Sequence, residues 1–585
     1  MNGLQRFIAE LRRRHVLKVA VFYGLVAWLI MQVGEVAFEP LGLPDWTLTL
    51  VIVVAILFFP LAMILAWAFD VTPQGVVRTP SSVEPGSTAT TTVAEEGSAA
   101  APGPQSASRA GVADDVRNRS IVVLPFDNMS REPDNEYLSD GISEDLIIRL
   151  SKVEELRVIS RTSAWRYKDG SLAAGDIGLE LGVAYLLTGS VRRSGNRLRI
   201  AAELIDTRND DHIWAESYDR EAADLFDIQS EVAASILHAV GPRLAGSGRT
   251  GSATLTAGAT SSSAPTDLAT YEAFLRGRHH WNLRTPADLD RSVEALQEAA
   301  ARDPSFMLAH AGLADTWITL AIYGERAPHE VMPLARQAAD RALALEPGAA
   351  EALTARACVS AVYEWDWQRA RKEFEDAVKA RPAYVTARMW YAMHHLLPLR
   401  RFAEARHQLD AALAMDPLSA TVHVSRAALA YYEGDHDRAV AAFEPIVEQH
   451  THFGLAHMLY GLSLLGAGEL DRALLVLARA REVGGGSVET TVAYGRALAA
   501  AGSDREARGL LARLRDDREE GYVSAARVAQ LEAALGDHDQ ALASLARAVE
   551  DRAADLVWLD VIKAFDGLRS DERFQVLRER ILSRQ

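Results

Sequence analysis

One cysteine, Cys358, in a chain of 585 residues excludes an internal disulfide and fits a reducing compartment. It lies where two helices are expected to cross closely, which calls for a small packed residue rather than a reactive thiol. Positive charge is the second shortage. With 62 Lys and Arg against 79 Asp and Glu, the net charge is −17. That balance argues against nucleic acid as a partner, because nonspecific binding needs concentrated Lys and Arg. No His-Glu-x-x-His or Cys-x-x-Cys pattern occurs. The adjacent pairs His279-His280 and His394-His395 point about 100° apart on a helix, so neither chelates as a pair; His450 and His452 complete the histidine candidates. Gly484-Gly485-Gly486 lacks the Lys-Ser/Thr and the preceding strand of a phosphate loop. The kinase signature set is absent as well. Asp127, Asp140, Glu144 and Asp145 could form a metal or acid–base site. The competing reading takes Ser139-Asp140-Gly141 as a helix start whose acids complement the helix dipole. No catalytic residue, cofactor or metal site is assigned, and the chain is expected not to be an enzyme.

What the chain does contain is a ladder of small residues: Ser292, Ala335, Ala370, Ala405, Ala439, Ala473, Ala507 and Ala541. After a first step of 43 residues the steps are 35, 35, 34, 34, 34 and 34. Apolar residues follow at offsets of four (Leu296 to Leu545) and seven (Ala299 to Ala548), and the first four rungs carry proline at offset twelve: Pro304, Pro347, Pro382 and Pro417. Offsets of 0, 4 and 7 lie on one helical face, and proline ends a helix. This period with these marks is the signature of tetratricopeptide repeats. The long first step predicts an enlarged opening repeat. Loss of proline after Pro417 predicts that the last four repeats turn differently.

The N-terminal region reads as a membrane hairpin. The twenty residues Val19–Phe38 would cover roughly 30 Å, about one hydrocarbon core. Trp46–Phe69 is a second uncharged run with Trp46 and Trp67 placed as interfacial anchors. A signal peptide is the rival reading of the first run, but a second span follows and no small-residue cleavage site is evident. Arg6, Arg12, Arg13, Arg14 and Lys18 precede the first run, whereas Glu39–Asp45 has two acids and no Lys or Arg. Basic flanks stay inside, so the N-terminus and everything after Asp70 are expected in the cytoplasm, at the inner membrane. Leu4, Phe7, Ile8 and Leu11 share a face that either lies along the leaflet or extends the first span. Residues 79–118 are rich in Ser, Thr, Ala, Gly and Pro and read as a flexible linker with an end-to-end distance of roughly 35 Å. A second such linker covers 245–265.

Residues 119–244 alternate strand and helix signals: Ser120–Phe126, Tyr137–Ser151, Leu156–Ser160, Ala174–Leu181, three strands from Tyr185 to Asp219, and the helix Leu225–Leu244. The order β-α-β-α-β-β-β-α indicates a small α/β domain with a mixed sheet. The stretches "SIVVLPFDNMS", "DNEYLSDGISEDLIIRLSKVEELRVISRTS" and "LGVAYLLTGSVRRSGNRLRIAAELIDTRNDDHIWAESYDR" resemble the TolB-amino-terminal-like (FlgO-like) domain of bacterial multidomain proteins, where tetratricopeptide repeats often follow. In related architectures a nucleotide cyclase or a winged-helix module precedes that domain. The resemblance carries no catalytic set.

The expected fold class is therefore multidomain: two transmembrane helices over 1–78, the α/β domain over 119–244, and an all-α tetratricopeptide-repeat solenoid over 266–550 closed by a segment at 551–585. The repeat family's groove positions fall on Tyr363, Trp390, His394, Tyr431, Tyr432, Met458 and Arg496. Aromatic residues and Arg are favoured interface anchors and Met adapts to varied partners; the alternative is that these side chains only pack between helices. Phe565–Ile581 is expected to cap the last apolar face. The leading expectation is a membrane-anchored scaffold or sensor that holds a protein or peptide partner in the groove, with the lipid bilayer as its other contact. The alternatives are a regulatory component of a cyclase-type or transcription system, and a small-ligand-binding or cryptic enzymatic α/β domain.

Overall fold

The computed structural model describes residues 69–72 and 75–78, and residues 118–582 apart from short breaks and the longer gap at 245–264. The two candidate membrane runs lie outside the described residues except for Phe69, and among the described residues no helix is long and apolar enough to cross a membrane. Phe69 does not end a helix. It opens strand β1 (Phe69–Thr72), which pairs antiparallel with β2 (Gly75–Arg78). Pro73 and Gln74 separate the strands, a two-residue spacing that suits a tight hairpin.

The α/β module is built on β3 (Ser120–Val123), β4 (Asp127–Asn128), β5 (Arg157–Val158), β6 (Tyr185–Ser194), β7 (Arg197–Asp206) and β8 (Asp211–Glu221). The sheet runs β5-β3-β6-β7-β8, with β4 beside β6. The first three are parallel and the last three antiparallel, so the sheet is mixed. β3 is buried on both faces, as expected of a central parallel strand. Ile121 and Val123 face α1 (Glu136–Leu150) and α4 (Leu225–Leu244), while Val122 faces α2 (Arg161–Ala164) and α3 (Ala174–Leu181). Four residues give α2 no periodic signal, which is why the sequence does not reveal it.

Sixteen antiparallel helices follow, two per repeat, from Leu268–Leu283 and Pro286–Arg302 in repeat 1 to Ala525–Ala534 and His538–Glu550 in repeat 8. Each ladder residue sits on the second helix of its repeat, and all eight from Ser292 to Ala541 are fully buried. Small side chains there let successive helices approach closely, and the apolar residues four positions on fill the space beside them. Thr285, Asp366 and Asp435 cap second helices by accepting from backbone N–H groups three residues ahead.

The two modules form one continuous core. Tyr271, Phe274 and Leu275 of repeat 1 pack with Ile142 and Leu146 of α1, and Gln229 of α4 donates to the Tyr271 hydroxyl at 2.8 Å. Gly141 explains the closeness. A Cβ there would collide with the Leu275 side chain. Ser139-Asp140-Gly141 is thus no helix start, contrary to the sequence reading: it lies inside α1, where glycine normally weakens a helix. Close approach of repeat 1 is the reason glycine fits there. A second attachment joins α2 to the end of repeat 4, where Asp416 accepts hydrogen bonds from Ser160 and Ser163, and the Leu418 N–H donates to Ser163.

Candidate partner-binding groove

The turn between first and second helices needs one residue in the left-handed region. Gly324, Gly434, Gly468, Gly502 and Gly536 supply it in repeats 2, 5, 6, 7 and 8. In repeats 1, 3 and 4 the position is Arg284, Trp365 and Arg400, at φ of 60°, 56° and 58°. A side chain in that conformation is strained by of order 1–3 kcal/mol. Each has a use in the tertiary structure. Arg284 stacks on Trp281, 3.6 Å from the ring centre, and Trp365 receives the Arg552 guanidinium at 5.0 Å. Arg400 donates to the Asp560 carbonyl at 3.3 Å.

Two of these contacts come from the C-terminal segment, which does more than cap. It contains two tight helical turns, Ala554–Trp558 and Lys563–Leu568, and the helix Glu572–Leu582. Arg573 pairs with Asp539 at 2.9 Å, so one side does cover the last repeat. The other side crosses the inner face of repeats 3 and 4. Arg552 donates to the Tyr363 carbonyl at 2.7 Å, Trp558 to the Met393 carbonyl at 2.9 Å, and Trp367 to the Ile581 carbonyl at 2.8 Å. Leu556, Val557, Phe565, Phe574 and Ile581 are almost fully buried. Burying each contributes about 1.5–3 kcal/mol, so the segment is part of the core rather than a loosely held plug.

The groove candidates meet this arrangement differently. Trp390 is 6 % exposed and His394 9 %, and the His394 ring lies between Trp390 (5.8 Å) and Trp558 (5.5 Å). Tyr363 is half-buried beneath Arg552, its ring 5.4 Å from the guanidinium. Tyr431 is buried edge-to-face against Tyr432, and Arg496 is buried and donates to Gln530 at 3.3 Å. Tyr432 and Met458 are half-buried. The chain itself therefore occupies the inner face at Tyr363, Trp390 and His394. Trp558 and Arg552, which fill it, carry no signal in the sequence, because their partners stand 165 and 189 residues away. Burial pushes the His394 imidazole down to about 4 and that of His395 down to about 3. The same cause holds the Cys358 thiol well above its usual value.

Three of the four acidic candidates are spoken for by ion pairs. Asp140 contacts Lys168 (2.8 Å), Arg161 (3.6 Å) and His279 (3.7 Å). Burial opposes its charge, but nearby His279, the hydrogen bond from Lys168 and the surrounding cations hold its carboxyl below the usual range. Glu144 meets Arg161 and Arg278, Asp145 pairs with Arg149, and Asp127 is exposed on β4. Arg278 belongs to repeat 1 and reaches both Glu144 and the buried Asp315, at 3.4 Å each. Burial pushes the Asp315 carboxyl up to about 6. These charges join the two modules. Among the described residues no group of three or more His, Cys, Asp or Glu is placed to hold a metal ion. Gly484–Gly486 forms the turn after the second helix of repeat 6.

The architecture defines a class: an α/β module fused to a closed superhelix of helical repeats. Comparison with known proteins names both parts. Residues 117–235 match the second domain of HilA/YgeH-like transcriptional regulators. Residues 359–397, 394–444 and 425–488 match the tetratricopeptide repeat. The chain is 39 % identical over 201 residues to putative adenylate cyclase 3 of Rhizobium meliloti, covering 33 % of this chain and 32 % of that protein. It is 23 % identical over 215 residues to the transcriptional regulator HilA of Salmonella typhimurium, covering 36 % and 38 %. The chain thus spans about a third of the length of these curated relatives. Among solved structures, yeast Tom70 aligns at 17 % identity and a TM-score of 0.35, over 53 % of this chain and 67 % of that one. A tetratricopeptide repeat protein of Parabacteroides merdae aligns at 15 % and 0.32, over 46 % and 98 %.

Proposed function

We propose that this chain is a non-enzymatic regulatory scaffold, tethered to the inner membrane by two N-terminal spans, whose α/β module and repeats engage a protein partner in the cytoplasm. The observation that carries this reading is the packing of the two modules on one another, through Gly141 against Leu275 and Asp416 with Ser160 and Ser163. Modules that share a core present a composite surface with less ordering cost on binding than two tethered ones. Tetratricopeptide repeats are protein-interaction modules as a class, and similarity to a transcriptional regulator and to a putative adenylate cyclase favours a regulatory setting. The resemblance of 119–244 to the TolB-amino-terminal-like domain points the same way.

Within the repeats, half-buried Tyr432 and Met458 are the groove candidates left accessible, since Trp390 is buried and Trp558 lies over His394. Capture of cytoplasmic proteins by the full-length chain, with identification by mass spectrometry, tests the reading. A partner whose capture falls in Y432A and M458A supports it. Capture that is absent, or equal in both variants and the parent chain, sinks the groove assignment.

A further inference from the structure

The seam between repeat 4 and the C-terminal segment holds a cleft of about 540 Å³. Arg400 enters it from the repeat, and Asp560, Lys563, Asp566, Arg569 and Arg578 from the segment. The carboxylates are already matched. Asp560 receives Arg578 at 2.8 Å and Arg569 at 3.1 Å, and Arg569 also holds Asp566 at 2.8 Å. Gln575 donates to the Arg569 carbonyl at 2.6 Å and fixes that corner. Two cations remain. Among the described residues, neither Arg400 nor Lys563 has a carboxylate partner, and the Arg400 guanidinium meets only the Asp560 carbonyl and the Phe402 ring. In a chain of net charge −17 this is a local excess of positive charge in a concave place.

The backbone adds an independent observation. Arg400 holds the left-handed conformation that Gly434, Gly468, Gly502 and Gly536 fill in the next four repeats. A glycine would remove the strain and remove the guanidinium with it. Lys563 approaches Gly434 so closely that a Cβ there would lie 3.1 Å from its Nζ. The bare turn of repeat 5 thus leaves room for the ammonium in the cleft that the Arg400 guanidinium also lines.

We infer that this cleft binds a phosphate group carried by a small molecule or by a lipid headgroup. The planar fork of an arginine and the point charge of a lysine are the usual pair for phosphate oxygens, and paired Arg569 and Arg578 lend further N–H donors at the rim. The volume exceeds what a lone phosphate needs and suits a ligand with a body attached.

Isothermal titration of the full-length chain with inorganic phosphate and pyrophosphate at low ionic strength tests the site. The unsubstituted chain binds, more tightly to pyrophosphate. R400G and K563Q each weaken binding by about tenfold, the effect of losing one charge-assisted contact. Thermal melts of R400G and K563Q show whether each variant is folded at the titration temperature, so weaker binding is not misread as unfolding. Vesicles of phosphatidylglycerol distinguish the source: silent soluble probes with vesicle binding that falls in both variants assign the phosphate to a lipid. No binding of either kind, or binding unchanged in both variants, overturns the proposal.

Discussion

The guanidinium of Arg527 donates to the carbonyl of Tyr323 at 3.0 Å, although 204 residues separate them. It also donates to the Ile322 carbonyl at 2.9 Å, contacts Glu489, and lies 3.7 Å from Asp555. One buried side chain of repeat 8 therefore joins the end of repeat 2's first helix to repeat 7 and to the C-terminal segment. The superhelix is closed on itself, and Gly324 leaves the space for the guanidinium to arrive.

Arg527→Ala should open this junction. Removing one partner of a buried charge pair costs about 3–5 kcal/mol, because the carboxylates left behind lose their compensation. The denaturation midpoint should drop, and amide exchange should rise at residues 323–327 and 551–558 together. A rise at only one of the two places would mean that Arg527 does not couple them.

Truncation after Glu550 discriminates a constitutive element from a displaceable plug. A plug would leave a folded array with an open groove. The burial of Phe565, Phe574 and Ile581 predicts an insoluble or unfolded product instead. Trp558→Ala is the milder version, costing about 2–4 kcal/mol from lost ring contacts. Recovery of a folded, monodisperse 1–550 chain would contradict this account.

The paired histidines give the structure an acid sensitivity. An unfolded histidine titrates near about 6.5, whereas burial holds His394 at about 4 and His395 at about 3, the latter also repelled by Arg401 and Arg371. Their folded values are depressed, so stability is intact above about 6.5 and is lost as pH falls toward 4, while only the unfolded chain takes up protons. Asp315, raised to about 6 by burial, works in the opposite sense and offsets part of the loss below that pH. His395 has no hydrogen-bond partner for either ring nitrogen among the described residues and lies among Trp367, Phe374 and Tyr391. His395→Phe should therefore be tolerated, and should lose roughly 1–2 kcal/mol less than the parent between pH 6.5 and 5. Equal losses in melting scans at the two pH values would refute the assignment.

Gly141→Ala should strain the seam at which the two modules share their core. Overpacking of this kind costs about 1–3 kcal/mol. Hydrogen exchange should quicken along 136–150 and 268–283, with repeats 5–7 unchanged. Uniform exchange across both proteins would show that the contact with Leu275 yields without strain.

A phosphatase fusion after Arg78 tests the membrane reading separately. Cytoplasmic placement predicts an inactive fusion. An active one would move the α/β module and the repeats to the other side and sink the proposed topology.

The sequence by itself determined most of the longer elements of the α/β module and the repeats. Every ladder residue from Ser292 to Ala541 is buried, and α3 and α4 begin and end at the residues their periodicity marks, because small and apolar side chains at fixed helical spacing report the packed face directly. The element order also indicated that the sheet is mixed, whereas the strand order came only from the fold. Only the tertiary structure decided where the faces go. In sequence Gly141 reads as part of a helix start, whereas in the fold it admits Leu275. In sequence Trp390 and His394 read as open groove, whereas in the fold Trp558 lies over His394. The strained turns have no local signal at all. Trp365 and Arg400 occupy a glycine's place for contacts made by Arg552 and Asp560, far along the chain. Local pattern fixes which face of a helix is apolar. Which distant segment covers that face depends on how repeats of about 34 residues accumulate into a superhelix, and only the folded chain carries out that sum.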